Sequence, residues 1–158
     1  QTLLSLSTPG VAGGDAGFLA MLYEIIRDRP DVQRGWLEAE LDAQLFLKDL
    51  GNATAVSKMA DDQTEGMDRR TLWASLYGQN PEAIGGGKEK LTLRYVFDDT
   101  ARQLVTAATR FLHGRKVVPD AILRPEAIMD DVAKAVLTSR GLSAPIGFVG
   151  EQPDSAYE

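Results

Sequence analysis

The sequence of 158 residues contains no cysteine. This absence excludes disulfides, zinc–thiolate sites, iron–sulfur ligation and thiol nucleophiles. It does not fix the compartment, because cysteine-free proteins occur both in the cytosol and in the bacterial periplasm.

Histidine is almost absent too, since His113 is the only one in the chain. A catalytic triad or a histidine-based metal site would have to be built around it. His113 stands beside Gly114 at the predicted end of a helix, where an imidazole can cap free carbonyl groups and interact favourably with the helix dipole. We therefore assign it a structural role and predict no catalytic, cofactor-binding or metal-binding residue.

Two other kinds of site are poorly supported. The acidic pairs at positions 61–62, 98–99 and 130–131 are neighbours in sequence. Neighbours in a helix point about 100° apart and cannot chelate one ion together. Gly85-Gly-Gly-Lys88 lacks the spacing of a phosphate-binding loop and is followed by Glu89 instead of Ser or Thr. The sequence thus predicts neither a metal ion nor a nucleotide.

Basic charge and long apolar runs are also scarce. The chain has 17 basic and 23 acidic side chains, a formal net charge of −6, and no cluster of Lys and Arg. Nucleic-acid-binding proteins usually carry a basic face, so we expect no nucleic-acid partner. No apolar run approaches the ~20 residues that cross a bilayer, so we expect no membrane span.

Amphipathic segments with helix start and stop signals cover most of the chain. Their expected first residues or caps are Asp15, Asp31, Asp68, Asp98 or Asp99, and Pro125. Residues 52–66 have a weaker pattern, and residues 91–97 alternate like a strand that has no partner. We predict an all-α fold, with one compact domain of about five helices at residues 15–142 and extended arms at 1–14 and 143–158.

The two arms are apolar but lack the periodicity of an element folded into its own core. Ordering such a segment costs roughly 1–2 kcal/mol per residue in backbone entropy, and only extensive burial offsets that cost. We therefore expect the arms to bind a larger protein. The predicted partner-binding residues are Leu3, Leu4, Leu6, Val11, Ile146, Phe148, Val149 and Tyr157.

Three parts of the sequence look like the small subunits of periplasmic sugar and alcohol dehydrogenases. They are Gln1, the segment Asp15-Ala-Gly-Phe-Leu-Ala-Met-Leu22 and the segment Pro145-Ile-Gly-Phe-Val-Gly150. The resemblance implies a non-catalytic accessory subunit that stabilises or matures a complex with a large quinoprotein or flavoprotein subunit and a cytochrome subunit. It implies no cofactor here, because the cofactors belong to the large subunits.

One departure favours the quinoprotein branch of that group. The flavin-dependent branch has an aromatic-rich Trp-Tyr-Thr-Gly-like segment, whereas this sequence has Phe111-Leu-His-Gly114. The small subunit of a quinoprotein alcohol dehydrogenase is therefore the preferred interpretation. Gln1 is typical of a mature secreted chain and favours the periplasm, although a cleaved tag or a trimmed chain would give the same start.

Two other classes of function stay open. A structural assembly protein, such as a phage head–tail connector, would share the small size and the apolar ends. A small ligand-binding domain would use the region from Trp73 to Tyr95 as its pocket. Against the latter, aromatic residues at helical spacing are usually core residues. We assign to the core Trp36, Trp73, Tyr77, Tyr95 and Phe97.

Overall fold

The computed structural model describes residues 20–79 and 89–157. The chain divides into two compact units. Unit 1 contains the residues up to Leu37 and Val96–Leu142, and unit 2 contains Glu38–Tyr95 and the residues from Ser143 onward. Both units draw on two separate stretches of sequence.

The described residues are mostly α-helical. The helices are α1 (Tyr23–Asp28), α2 (Pro30–Lys48), α3 (Ala53–Gln63), α4 (Arg69–Leu76), α5 (Asp99–Gly114) and α6 (Asp131–Ser139). The strands are β1 (Glu89–Leu93) and β2 (Gly147–Gly150), and short 3-10 turns cover Leu50–Asn52, Pro125–Ala127 and Asp154–Ala156. The prediction of a mainly helical protein is confirmed, whereas a purely all-α fold is wrong because of the two-stranded sheet.

Two predicted helix caps are confirmed. The carboxylate of Asp68 accepts a hydrogen bond of 2.8 Å from the backbone N–H of Thr71 at the start of α4. The carboxylate of Asp98 accepts one of 2.8 Å from Ala101 at the start of α5. The backbone hydrogen bond also holds the pKa of Asp68 below its usual value. Both helices therefore begin where the sequence places a side-chain acceptor for their free N–H groups.

The starts of α2 and α6 differ from the prediction. Pro30 lies in the first turn of α2, a position that tolerates the missing N–H. Asp31 is inside that turn instead of capping it, and it accepts hydrogen bonds of 3.0 and 2.8 Å from the Arg29 guanidinium. Pro125 begins only a 3-10 turn, and α6 starts six residues later, at Asp131. The cap predicted at Asp15 lies outside the described residues, as do Gly85-Gly-Gly87.

Residues 52–66, where the sequence pattern is weak, contain α3. This helix buries only the small side chains of Ala53 and Ser57. The Ser57 hydroxyl is satisfied by donating to the carbonyl of Thr54 at 2.9 Å. Small and hydroxyl side chains on the buried face leave no apolar stripe in the sequence, and this is why the helix was missed.

The expectation that the strand near residues 91–97 has no partner is wrong. β1 pairs antiparallel with β2, with Leu91 opposite Val149 and Leu93 opposite Gly147. The N–H of Ile146 extends the pairing by donating to the carbonyl of Leu93 at 2.9 Å. The C-terminal segment therefore supplies the missing strand partner within unit 2.

Unit 2 has its own core. The buried apolar side chains are Leu41, Ala53, Trp73, Tyr77, Leu93, Ile146 and Val149. The Tyr77 hydroxyl donates to the carbonyl of Leu47 at 3.1 Å, and burial raises the pKa of Tyr77 to about 12. The N–H of Gln152 donates to the carbonyl of Tyr77 at 2.7 Å, and this bond ties the last residues to α4.

Three of the described helices, α1, α5 and α6, lie wholly in unit 1. Among them, α6 alone has buried apolar side chains. They are Ala133, Val136 and Leu137. The buried carboxylate of Asp130 accepts hydrogen bonds of 2.8 Å from both Arg102 and Lys134, and the first of these links α5 to the start of α6. By contrast, none of the described residues of α1 or α5 is buried.

Candidate functional site

Helix α5 is amphipathic, yet none of its described residues is buried. That face carries Ala101, Leu104, Val105, Ala108, Phe111 and Leu112. In an ordinary globular domain such a stripe faces the core. Here the described residues of α5 are all at least partly exposed. The apolar face of α5 is therefore only partly covered within unit 1.

Unit 1 contains a cavity of about 690 Å³. Its walls come from residues 20–26, the first turns of α2, one side of α5 and residues 123–129. Leu22, Trp36 and Met129 line it although each side chain is at least half exposed. The prediction that Trp36 is a core residue is thus wrong, whereas Trp73 and Tyr77 are buried as predicted.

The cavity lining is apolar apart from Gln33 and Thr109. The Thr109 hydroxyl is already used, because it donates to the carbonyl of Val105 at 2.9 Å. Gln33 is only 7% exposed, and its side chain lines the cavity. A side-chain amide can both donate and accept hydrogen bonds. Gln33 therefore stands out as the polar group that the cavity offers to a ligand.

Three strongly exposed apolar side chains lie in the last turn of α5 and in the segment that follows it. They are Phe111, Val117 and Ile122, which are 63–77% exposed and do not line the cavity; we call this set the α5-end surface. The Arg115 guanidinium lies 5.5 Å from the centre of the Phe111 ring. The turn is fixed by the backbone, since the N–H of Val117 donates to the carbonyl of Leu112 at 2.9 Å. Phe111 and Arg115 thus form an exposed contact between an aromatic ring and a guanidinium, two groups that are enriched at protein interfaces.

Charge is distributed unequally between the two units. Unit 1 has ten acidic and ten basic side chains, whereas unit 2 has thirteen acidic and seven basic ones. The formal net charge of −6 therefore belongs entirely to unit 2. The cavity and the α5-end surface lie in the unit that has no net charge.

One member of each acidic pair already has another role. Asp62 pairs with Lys58 at 2.6 Å, Asp98 caps α5, and Asp130 binds Arg102 and Lys134. Within the described ranges there is no group of three or more potential metal ligands. His113 is exposed at the end of α5, with its Nδ1 3.4 Å from the carbonyl oxygen of Val118.

The predicted partner-binding residues fall into three groups. Leu3, Leu4, Leu6 and Val11 lie outside the described residues. Ile146 and Val149 are buried in unit 2, and the Tyr157 ring packs edge-on against Trp73 with 5.5 Å between ring centres. Phe148 is 47% exposed. Of the four C-terminal residues, Phe148 is therefore the one whose side chain is most available to a partner.

Sequence reasoning missed both the cavity and the α5-end surface. One signal was present for the cavity, because Gln33 stands three residues before Trp36 and four before Leu37. It therefore puts a polar group on the apolar stripe of α2. The α5-end surface had a weaker signal in the exposed apolar residues that follow the Gly114 stop.

Comparisons with known proteins do not place the chain in a family. No protein-family model, curated protein or solved structure matches it. Within residues 20–79 and 89–157, none of the helices combines the length and the apolar character needed to cross a bilayer. The function is therefore argued from the two units themselves.

Proposed function

We propose that this protein is a non-catalytic accessory subunit that stabilises or matures a multi-subunit periplasmic oxidoreductase, an alcohol or sugar dehydrogenase, by binding its large subunit. The observation that carries the proposal is the α5-end surface, where Phe111, Val117 and Ile122 are each more than half exposed in a charge-balanced unit.

The physical case begins with the apolar area. Each Å² of apolar surface removed from water contributes roughly 25 cal/mol, so an exposed aromatic ring and two branched aliphatic side chains favour association. Aromatic and Arg side chains are enriched at protein interfaces, and here Phe111 and Arg115 are in contact. The surface thus has the composition of the centre of an interface.

The charge distribution supports the same proposal. A partner that covers unit 1 meets no excess of one sign, so the net charge of this unit does not repel it. The acidic unit 2 keeps its charge available to solvent, which favours solubility. The nature of the partner rests on the sequence resemblance, which supports a periplasmic dehydrogenase with a quinoprotein or flavoprotein large subunit and a cytochrome subunit.

The test is co-expression of this chain with the large subunit of a periplasmic alcohol or sugar dehydrogenase from the same organism. Val117→Asp puts a charge into the α5-end surface and should abolish co-elution of the two subunits. Met59→Asp is the matched control, because Met59 is 57% exposed on α3 in unit 2. It should leave co-elution unchanged.

Two results would contradict the proposal. The first is full co-elution of the Val117→Asp variant at the wild-type yield. The second is a genomic neighbourhood of capsid or tail genes, which would favour the phage head–tail connector instead.

A further inference from the structure

We propose that the cavity of unit 1 binds one small, uncharged and largely apolar molecule that presents a hydroxyl or carbonyl group to the side-chain amide of Gln33. This binding function is separate from docking on a large subunit, because the α5-end surface does not line the cavity.

The size and lining of the cavity support a small-molecule ligand. Ligand sites have volumes of roughly 300–1,000 Å³ and combine apolar walls with a few placed polar groups. The cavity of about 690 Å³ lies within this range. Its walls include Met21 and Met129, whose flexible thioether side chains adapt to the shape of an apolar ligand.

The lining also defines the charge of the ligand. None of the described residues that line the cavity is ionisable. A carboxylate or phosphate buried there would have no counter-charge, and burying an unpaired charge is costly. The ligand is therefore uncharged.

Gln33 defines the polar group of the ligand. Its amide provides both a donor, Nε2, and an acceptor, Oε1. An alcohol can accept from the first or donate to the second. Because Gln33 is 7% exposed and lines an otherwise apolar cavity, a ligand hydroxyl placed there can gain a hydrogen bond to its amide. A pure hydrocarbon gains no such bond.

Trp36 makes the binding measurable in the full chain. It is 56% exposed and lines the cavity, whereas Trp73 is buried in unit 2 and serves as a constant background. Titration with 1-decanol should give a saturable blue shift of the emission, and Trp36→Phe should abolish that shift. Decanoate, which has the same chain length but a charged head, should bind at least about tenfold more weakly.

Gln33→Leu tests the role of the amide. It should weaken 1-decanol binding by about three- to tenfold, the effect of one hydrogen bond, without weakening the binding of decane. Gln103→Leu, an exposed change of the same kind on α5 and outside the lining, should leave both affinities unchanged. Ala108→Trp fills the cavity without changing Gln33 and should block 1-decanol, with a far-UV spectrum to show that the variant folds.

Several results would overturn the proposal. A titration without a saturable Trp36 signal would do so, as would equal binding of 1-decanol and decanoate. Undiminished binding to either Gln33→Leu or a folded Ala108→Trp would also do so. Binding that appears only after residues 1–12 are deleted would show instead that the cavity belongs to the chain's own N-terminal segment.

Discussion

Val149 and Phe148 are neighbours on β2 whose side chains differ sharply in burial, with 2% and 47% exposed. Val149→Ala removes two methyl groups from the core of unit 2 without a new contact to replace them. With about 0.8 kcal/mol per buried methyl-sized group and an added cavity cost, we expect a loss of about 2–3 kcal/mol in the free energy of unfolding. Phe148→Ala should cost less than about 1 kcal/mol, because nearly half of the ring is already in water.

Urea denaturation followed by the fluorescence of buried Trp73 measures both changes. The slope of the free energy against urea should stay constant, so the shift in midpoint gives the stability difference. Equal midpoints for wild type and Val149→Ala would refute the burial argument, and so would a larger loss for Phe148→Ala. By the same argument, deleting residues 146–157 should unfold unit 2, because the deletion removes Ile146 and Val149 from its core.

Four further predictions concern other parts of the chain. The pKa of Tyr77 is about 12 in the folded chain, so the unfolded chain ionises first as the pH rises above 10. The stability that Tyr77 contributes below pH 10 should therefore be lost as the pH rises towards about 12. Urea melts across that range should show this loss in the wild type and not in Tyr77→Phe. Asp130→Asn should destabilise unit 1 by about 1–2 kcal/mol, with thermal melts as the measurement, since it weakens the contacts with Arg102 and Lys134. His113→Ala should cost about 1 kcal/mol or less and leave partner binding intact in a co-elution assay. Deleting residues 1–12 should weaken complex formation more than it lowers the melting temperature of the free chain, and the reverse result would assign that arm to the protein's own fold.

Local features of the fold were predictable because neighbouring residues determine them. The carboxylates of Asp68 and Asp98 cap their helices because each accepts a hydrogen bond from the backbone N–H three residues later in the sequence. The end of α5 at Gly114 was predictable for the same reason. Helix α3 was not, because its buried face depends on Ala53 and Ser57, whose small side chains carry no hydrophobic signal.

Features that depend on distant residues could not be predicted from periodicity. The partner of β1 is a four-residue strand flanked by glycines in the C-terminal segment, too short to show a clear alternation. The cavity needs segments from two separate stretches of sequence to be placed together. The position of Gln33 indicated a polar group on an apolar face, but only the packing shows that its side chain is buried and lines a cavity.

The interleaving of the two units determines the order in which they can be completed as the chain emerges from its N-terminal end. Unit 1 has all its described residues once Leu142 is made, whereas unit 2 still awaits β2. At bacterial to eukaryotic elongation rates of about 5–20 residues per second, β1 emerges roughly 3–10 s before its partner strand. During that interval the unpaired strand offers its backbone N–H and C=O groups and the side chain of Leu93 to other chains. Nascent unit 2 is therefore the part of this protein that most needs a holding chaperone during synthesis.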